Sequence, residues 1–474
     1  ARAALPRAIA AVALLAVLAA GAGIGVRATF GAHVAVDEVQ YVLTALSLAQ
    51  DGDLDIADEL ADGSWRSFAD APPPVQTSVR PDGAQISPHD PLLALLLAVP
   101  TGLAGWVAAK ATLVLLAGIL AALTLWVAVR RFAVPVPLAA TGVGLAAVSA
   151  PLAVYGQQVY PELPAALATL IGVAALTGPV RRGQLALLAA AVVALPWLSV
   201  KYAAVAAVLA GLGALRWWRA GRRREAMALG GALAAMAGAY LAVHRAVWGG
   251  WTVYASGDHF ERTGEFGVVG SSPDYLGRGV RLIGLLTDRD FGLVAWQPAW
   301  LLVVPALAAL AARRPPGAAV LALPLAAGWL VATFVALTMH GFWWPGRQVV
   351  VVLPLALLVV LCWLARAGTG WRAAAALLGT AGAVSYGWLL ADGYTGTITW
   401  VSRFAEVGAP THQLLRPLLP DYRDEFWPAH LAWIAALGLL AALAWHHTRS
   451  RNAPGGAMPT PVPVPAPHQE GSTR

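Results

Sequence analysis

The sequence predicts an all-α polytopic membrane protein with roughly 11–13 transmembrane helices. Three observations carry that prediction. Of 474 residues, 58% are hydrophobic and only 12% are charged, against about 25% charged in an ordinary soluble domain. Apolar stretches recur from residue 5 to residue 447, so the chain is not a soluble domain on a single anchor. Finally, most Arg sits in short clusters between those stretches, as cytoplasmic loops require.

Residues 5–26 form the first span, with Arg2 and Arg7 ahead of it on the cytoplasmic side. That stretch is long enough to cross, unlike a cleavable signal, and with Ala1 in place of Met the natural start is expected upstream. Residues 27–88 make a polar extracytoplasmic loop. Residues 91–100 are apolar but too short to span, and read as an interfacial or re-entrant helix. Spans then follow at 106–129, 134–155 and 161–176, the inward ones closing on Arg130-Arg131 and Arg181-Arg182. Residues 184–216 have basic flanks on both sides, so they must go out and return, bending near Pro196 to Lys201.

After the basic loop 216–225, spans are expected at 226–247, 291–311, 320–337, 349–364, 373–390 and 429–445. This gives about twelve crossings with both termini cytoplasmic. Polar outer loops are predicted at 248–290 and 391–428. One catalytic membrane domain is expected over 1–447, and 448–474 reads as a Pro-rich, disordered cytoplasmic tail.

The three long polar loops, which hold most of the Asp and Glu, all lie on the outer face. The cytoplasmic loops are little more than Arg and Gly, with no phosphate-binding glycine pattern. Chemistry at the outer face has no ATP to draw on, so it needs an activated donor delivered through the lipid. The single cysteine, Cys362, excludes an intrachain disulfide and a Cys metal cluster. The net charge of +7 is explained by the Arg clusters, and nucleic acid is not an expected partner.

Candidate residues gather at the outer boundary. Asp37 and Glu38 open a stretch in which Val39, Val42, Leu43, Leu46 and Ala49 repeat at helical spacing up to Gly52. This predicts an amphipathic juxtamembrane helix lying on the outer leaflet. Asp37 would be its N-cap and Gln40 would complete a capping box. A carboxylate fixed at that point is also pre-positioned as a general base. His89-Asp90-Pro91-Leu92 reads as a proline-set helix start capped by Asp90, with His89 free for a phosphate or metal. Glu162 opens an inward span. Lys201 has no carboxylate nearby in sequence, so it either snorkels or meets a lipid phosphate. Arg347 lies outside against the positive-inside trend, Arg289 has acidic neighbours at 288 and 290, and His259 reads as a solvated loop residue.

These residues resemble the GT-C-fold glycosyltransferases, including protein O-mannosyltransferase and aminoarabinose transferase relatives. The resemblance is carried by Asp37-Glu38-Val39-Gln40-Tyr41 with Leu48 to Leu54. His89-Asp90-Pro91-Leu92 stands where those relatives have His-Pro-Pro-Leu. Tyr160-Pro161-Glu162, Leu195-Pro196-Trp197, Asp288 to Leu293 and Pro345-Gly346-Arg347 follow in the family's order.

The resemblance implies inverting transfer of a sugar from a polyprenyl-phosphate donor to an acceptor hydroxyl outside the bacterial plasma membrane. Asp37 would be the base with Glu38 in support. Lys201, Arg347 and Arg289 would hold the donor phosphate, and Glu162, His89 and Tyr41 the donor phosphate or sugar. Some of these relatives use a divalent metal ion at that phosphate and others do not, so the resemblance leaves a metal open, with Glu38 and His89 as its ligands if there is one. The acceptor would be a glycan, lipid or protein, and membrane lipids would surround the whole. A transporter or flippase of a lipid-linked or small polar substrate is the rival reading. It would be expected to place charges near span midpoints instead.

Overall fold

The computed structural model describes residues 4–74, 76–77, 79–256, 275–336, 338–423 and 427–452. The expectations for His259 and for the tail beyond 452 lie outside them. Among the described residues there is no β-strand, only isolated bridges such as Asp55 with Ile86. Among the described residues eight helices are long and apolar enough to cross a membrane, and four shorter apolar helices stand with them. The protein is a multi-pass membrane protein, and each span read from the sequence has one of these helices in its place.

The first half runs α1 (Ala4–Gly21), α2 (Asp37–Gln50), α3 (Ala57–Asp62), α4 (Leu92–Phe132), α5 (Val136–Ala147), α6 (Leu152–Tyr155), α7 (Glu162–Thr177), α8 (Arg182–Leu198), α9 (Ala203–Arg219) and α10 (Arg223–Trp248). The hairpin expected around residues 196–201 is present, with a 3-10 turn at Val200–Tyr202 between α8 and α9. The apolar stretch at 91–100 opens α4 and forms a short helix of its own before the spanning part, as expected. A break at Ala104 and Gly105 separates it from the spanning part. Gly105 takes φ +64° and ψ −155°, a conformation essentially reserved for glycine.

α2 corrects one expectation. It does not lie on a lipid surface but packs along α4, and Glu38 to Ala45 are buried almost without interruption. Nor is there a capping box. The N-cap is Val36, without a side-chain cap bond, and Asp37 is the first helical residue. Gln40 is buried with neither side-chain polar atom partnered.

The Arg-bearing turns gather at one end. Arg131, Arg216 and Arg219 line an open cavity of about 430 Å³ with Thr177 and Gly317, and Arg222 Nη1 donates to the Val180 carbonyl at 2.9 Å. α7 runs from this end to Glu162, and its 16 residues separate the two ends by about 24 Å. The long polar segments meet at the Glu162 end.

Candidate active site

Four segments far apart in the chain deliver charges to the start of α7. Arg347 Nη2 donates to Asp37 Oδ2 at 2.7 Å, and Arg347 Nε donates to Glu162 Oε1 at 2.8 Å. Lys201 Nζ donates to that same Glu162 oxygen at 2.7 Å. Lys201 thus has a carboxylate partner, which its sequence neighbourhood does not reveal. Gln76 Nε2 donates to Asp37 Oδ1 at 3.1 Å, and His89 Nε2 lies 3.7 Å from Asp37 Oδ2. The formal charges of Asp37, Glu162, Lys201 and Arg347 cancel, which is what allows four ionic groups to share a largely dry pocket.

Local structure explains each placement. Gly346 adopts φ +81° just before a 3-10 turn at Arg347–Val352, and a Cβ there would stand 2.9 Å from Leu293. Only glycine fits that bend, and the bend points Arg347 inward. The Arg347 guanidinium rests on Tyr160, 4.1 Å from the ring centroid, and faces Trp343 at 5.2 Å. Below it Trp344 packs against Trp296 and Trp400. Val36 holds φ 56° and ψ −128° immediately before Asp37. That is a strained conformation for a β-branched residue, of the kind that collects at functional sites.

Burial on its own would raise the Asp37 carboxyl. Arg347 and His89 outweigh it and hold the group well below the ordinary carboxylate range. Asp37 is therefore ionised at any working pH. Three nearby polar atoms, Glu162 Oε2, Tyr160 Oη and Tyr202 Oη, are buried and have no partner among the described residues. A polar ligand or ordered water is the usual complement of such groups.

Glu38 faces the other way. It is fully buried and accepts from Val159 N at 2.7 Å and from Ala35 N at 3.4 Å. Lys110 Nζ lies 3.6 Å away and also donates to Gln157 Oε1 at 3.2 Å. His89 turns Nδ1 to Ser87 Oγ at 2.9 Å and stands edge-on to Tyr41 at 4.7 Å. The pair nominated for a metal does not fit one. The lone pairs of Glu38 are taken by backbone amides and an ammonium, and a guanidinium occupies the place beside Asp37 that a cation would need.

Asp90 is not a helix cap. Its Oδ1 accepts from Tyr240 Oη at 2.8 Å and lies 2.9 Å from His244 Nε2, and its Oδ2 accepts from Val200 N at 2.8 Å. It ties α10 and the α8–α9 bend to the beginning of α4. Arg289 joins a separate network: its Nη2 donates to Asp421 Oδ2 at 2.6 Å. Asp288 accepts from Phe291 N, Tyr422 N and His340 Nε2, and Arg416 and Arg423 both bind Asp290. The 287–293 segment thus clamps the 416–423 segment.

Sequence reasoning missed Lys110, Gln76, Tyr160 and Tyr202. Lys110 carried a usable signal, since an ionisable residue inside an apolar span is a functional-site candidate by default. Tyr160 stood within the Tyr160-Pro161-Glu162 motif with no role of its own, and Gln76 and Tyr202 had no pattern to mark them.

No protein-family model matches the chain, and no curated protein matches it. Solved structures do. ArnT from Cupriavidus metallidurans bound to undecaprenyl phosphate superposes with a TM-score of 0.50 at 18% identity, over 94% of this chain and 77% of that one. The same protein in the apo state gives a TM-score of 0.45 at 18% identity, over 88% and 73%. The first likeness shows the fold, and the chain has the GT-C architecture.

Proposed function

We infer that the protein is a membrane glycosyltransferase. It would move a sugar from a polyprenyl-phosphate donor to an acceptor hydroxyl at the end of the bundle where Asp37 lies, facing the extracytoplasmic side. The observation that carries this reading is the Arg347 bridge between Asp37 and Glu162, with Lys201 beside it. A candidate base and two cations suited to a phosphate are thereby held within one pocket. The fold is also that of a protein whose solved structure holds undecaprenyl phosphate.

The reaction assigns a role to each group. The acceptor O–H gives its proton to Asp37 as its oxygen bonds to the anomeric carbon. The bond from that carbon to the phosphate oxygen breaks on the opposite face, so the configuration inverts. Negative charge grows on the departing phosphate, where Arg347 and Lys201 stabilise the transition state more than the ground state.

In the free site Arg347 makes Asp37 a poor base, because a strongly depressed pKa weakens proton abstraction. A donor phosphate competes for the same guanidinium. As Arg347 turns toward it, Asp37 loses its main counter-charge and becomes more basic just when a donor is present. His89, beside Asp37, orients that carboxylate, and Tyr41 packs against His89.

Purified protein incubated with labelled polyprenyl-phosphate sugars tests the reading. One of them should lose its sugar to an acceptor. Asp37→Asn should lower turnover at least about a hundredfold while thermal stability and donor binding survive. Transfer at the wild-type rate by Asp37→Asn would remove Asp37 from the mechanism.

A further inference from the structure

Away from the Asp37 pocket, the junction between α2 and α3 concentrates negative charge without compensation. Residues 51–62 contain Asp51, Asp53, Asp55, Asp58, Glu59 and Asp62. Among the described residues none of these carboxylates pairs with a Lys or Arg. This is unusual in a chain with 32 Lys and Arg residues and a net charge of +7.

Three of the six have local duties, and one of them is Asp62, whose Oδ1 accepts from Ser64 N and Ser64 Oγ, both at 2.8 Å. Asp53 Oδ1 accepts from Ser47 Oγ and from Asp55 N, both at 2.9 Å. Asp55 Oδ1 accepts from Gln85 N at 2.7 Å and from Ala57 N at 3.0 Å. Those bonds fold the loop back and bring Asp51, Asp58 and Glu59 together. One oxygen from each lies within 4.8 Å of the others, which is about twice a calcium–oxygen bond.

Glu59 makes this more than a surface cluster. Its relative exposure is 1%, and among the described residues no donor hydrogen-bonds to either carboxylate oxygen. A buried carboxylate left bare is costly, and burial together with neighbouring Asp58 and Asp51 pushes it up to about 8. A bound cation removes the cost at once, by supplying both the missing partner and the missing charge. Mobile, exposed Lys side chains are not at hand to do so.

We propose that Asp51, Asp58 and Glu59 form a divalent-cation site at the α2–α3 junction, suited to calcium. The donors are all hard oxygens. The two Asp residues are exposed, leaving room for the waters that complete a six- to eight-fold shell. The carboxylates at 51, 53, 55, 59 and 62 also follow the alternating spacing of calcium loops. Position 56 is Ile where such loops have Gly, and the chain folds Asp53 and Asp55 away from the ion, so the geometry is its own. The cation pins the far end of the helix that carries Asp37 at its start.

Calcium titration of the full-length, chelator-stripped protein in detergent, followed by calorimetry, tests this. Wild type should bind about one calcium with a Kd on the order of 0.1–1 mM, the range of extracellular modules, and magnesium at least tenfold more weakly. Glu59→Gln and Asp51→Asn should each weaken calcium at least tenfold. Asp51 is exposed, so that variant keeps its fold. Asp82→Asn, outside the cluster, should bind as wild type does. Absence of calcium binding in wild type overturns the proposal. So does magnesium binding of equal strength, or equal binding by the cluster variants, or a loss in Asp82→Asn matching theirs.

Discussion

Replacing Arg347 with Gln removes the group on which the proposed site turns. The side chain is 8% exposed and makes two short ion pairs, so two carboxylates lose their shared cation. Stranding a buried charge typically costs roughly 3–5 kcal/mol. Here Glu162 keeps Lys201 at 2.7 Å. Asp37, 14% exposed at its side chain, keeps Gln76 and admits water. The cost should therefore sit near the lower end, about 3 kcal/mol. Arg347→Gln combined with Asp37→Asn discharges the stranded carboxylate, and the combined loss should fall to about 1–2 kcal/mol. Arg347→Lys keeps the charge but cannot span both carboxylates as a fork. It should recover part of the stability and little of the turnover. Equilibrium unfolding in mixed micelles measures the stabilities, and donor turnover is followed on the same preparations. If the double variant is no more stable than additivity of the single ones allows, within about 0.5 kcal/mol, the carboxylates do not depend on Arg347 and the argument fails.

Two further outcomes follow from the same geometry. Gly346→Ala places a Cβ at φ +81° and 2.9 Å from Leu293. It should cost at least about 1–2 kcal/mol and reduce turnover by displacing Arg347, which parallel unfolding and activity measurements check. For Glu59 the folded carboxyl titrates at about 8, above its ordinary 4.5, so the folded state binds the extra proton between those values. Stability of the metal-free protein should accordingly fall as pH rises from 4.5 to 8. Glu59→Gln should flatten that slope, as a pH series of melting temperatures will show.

The span pattern was legible because hydropathy and Arg placement report directly on the bilayer, and so was the α8–α9 hairpin, from its two basic flanks. Tertiary choices were not legible. Asp37 and Gln40 match a capping box in sequence, but packing against α4 overrides local capping and leaves Gln40 buried and unpartnered. Asp90 reads as a cap until α10 is known to run past it. His244, the partner, lies 154 positions away, and no local pattern links the two. Arg289 has Asp on both sides in sequence yet turns to Asp421, because its neighbours are used by backbone amides and by Arg416 and Arg423. Lys201 and Glu162 could be placed at one boundary, but not against each other.

Asp37 and Glu38 are successive residues about 100° apart around the helix, so they face different surroundings. Glu38 is fastened to Val159 N, three residues before Glu162 on the same turn, and Lys110 backs it. A peg so close to the beginning of α2 fixes the rotation of the helix as well as its height. If the 155–162 turn shifts, Glu38 carries Asp37 along with Glu162, and the spacing between the two carboxylates is kept. The two carboxylates are thereby tied to one turn and move as one body.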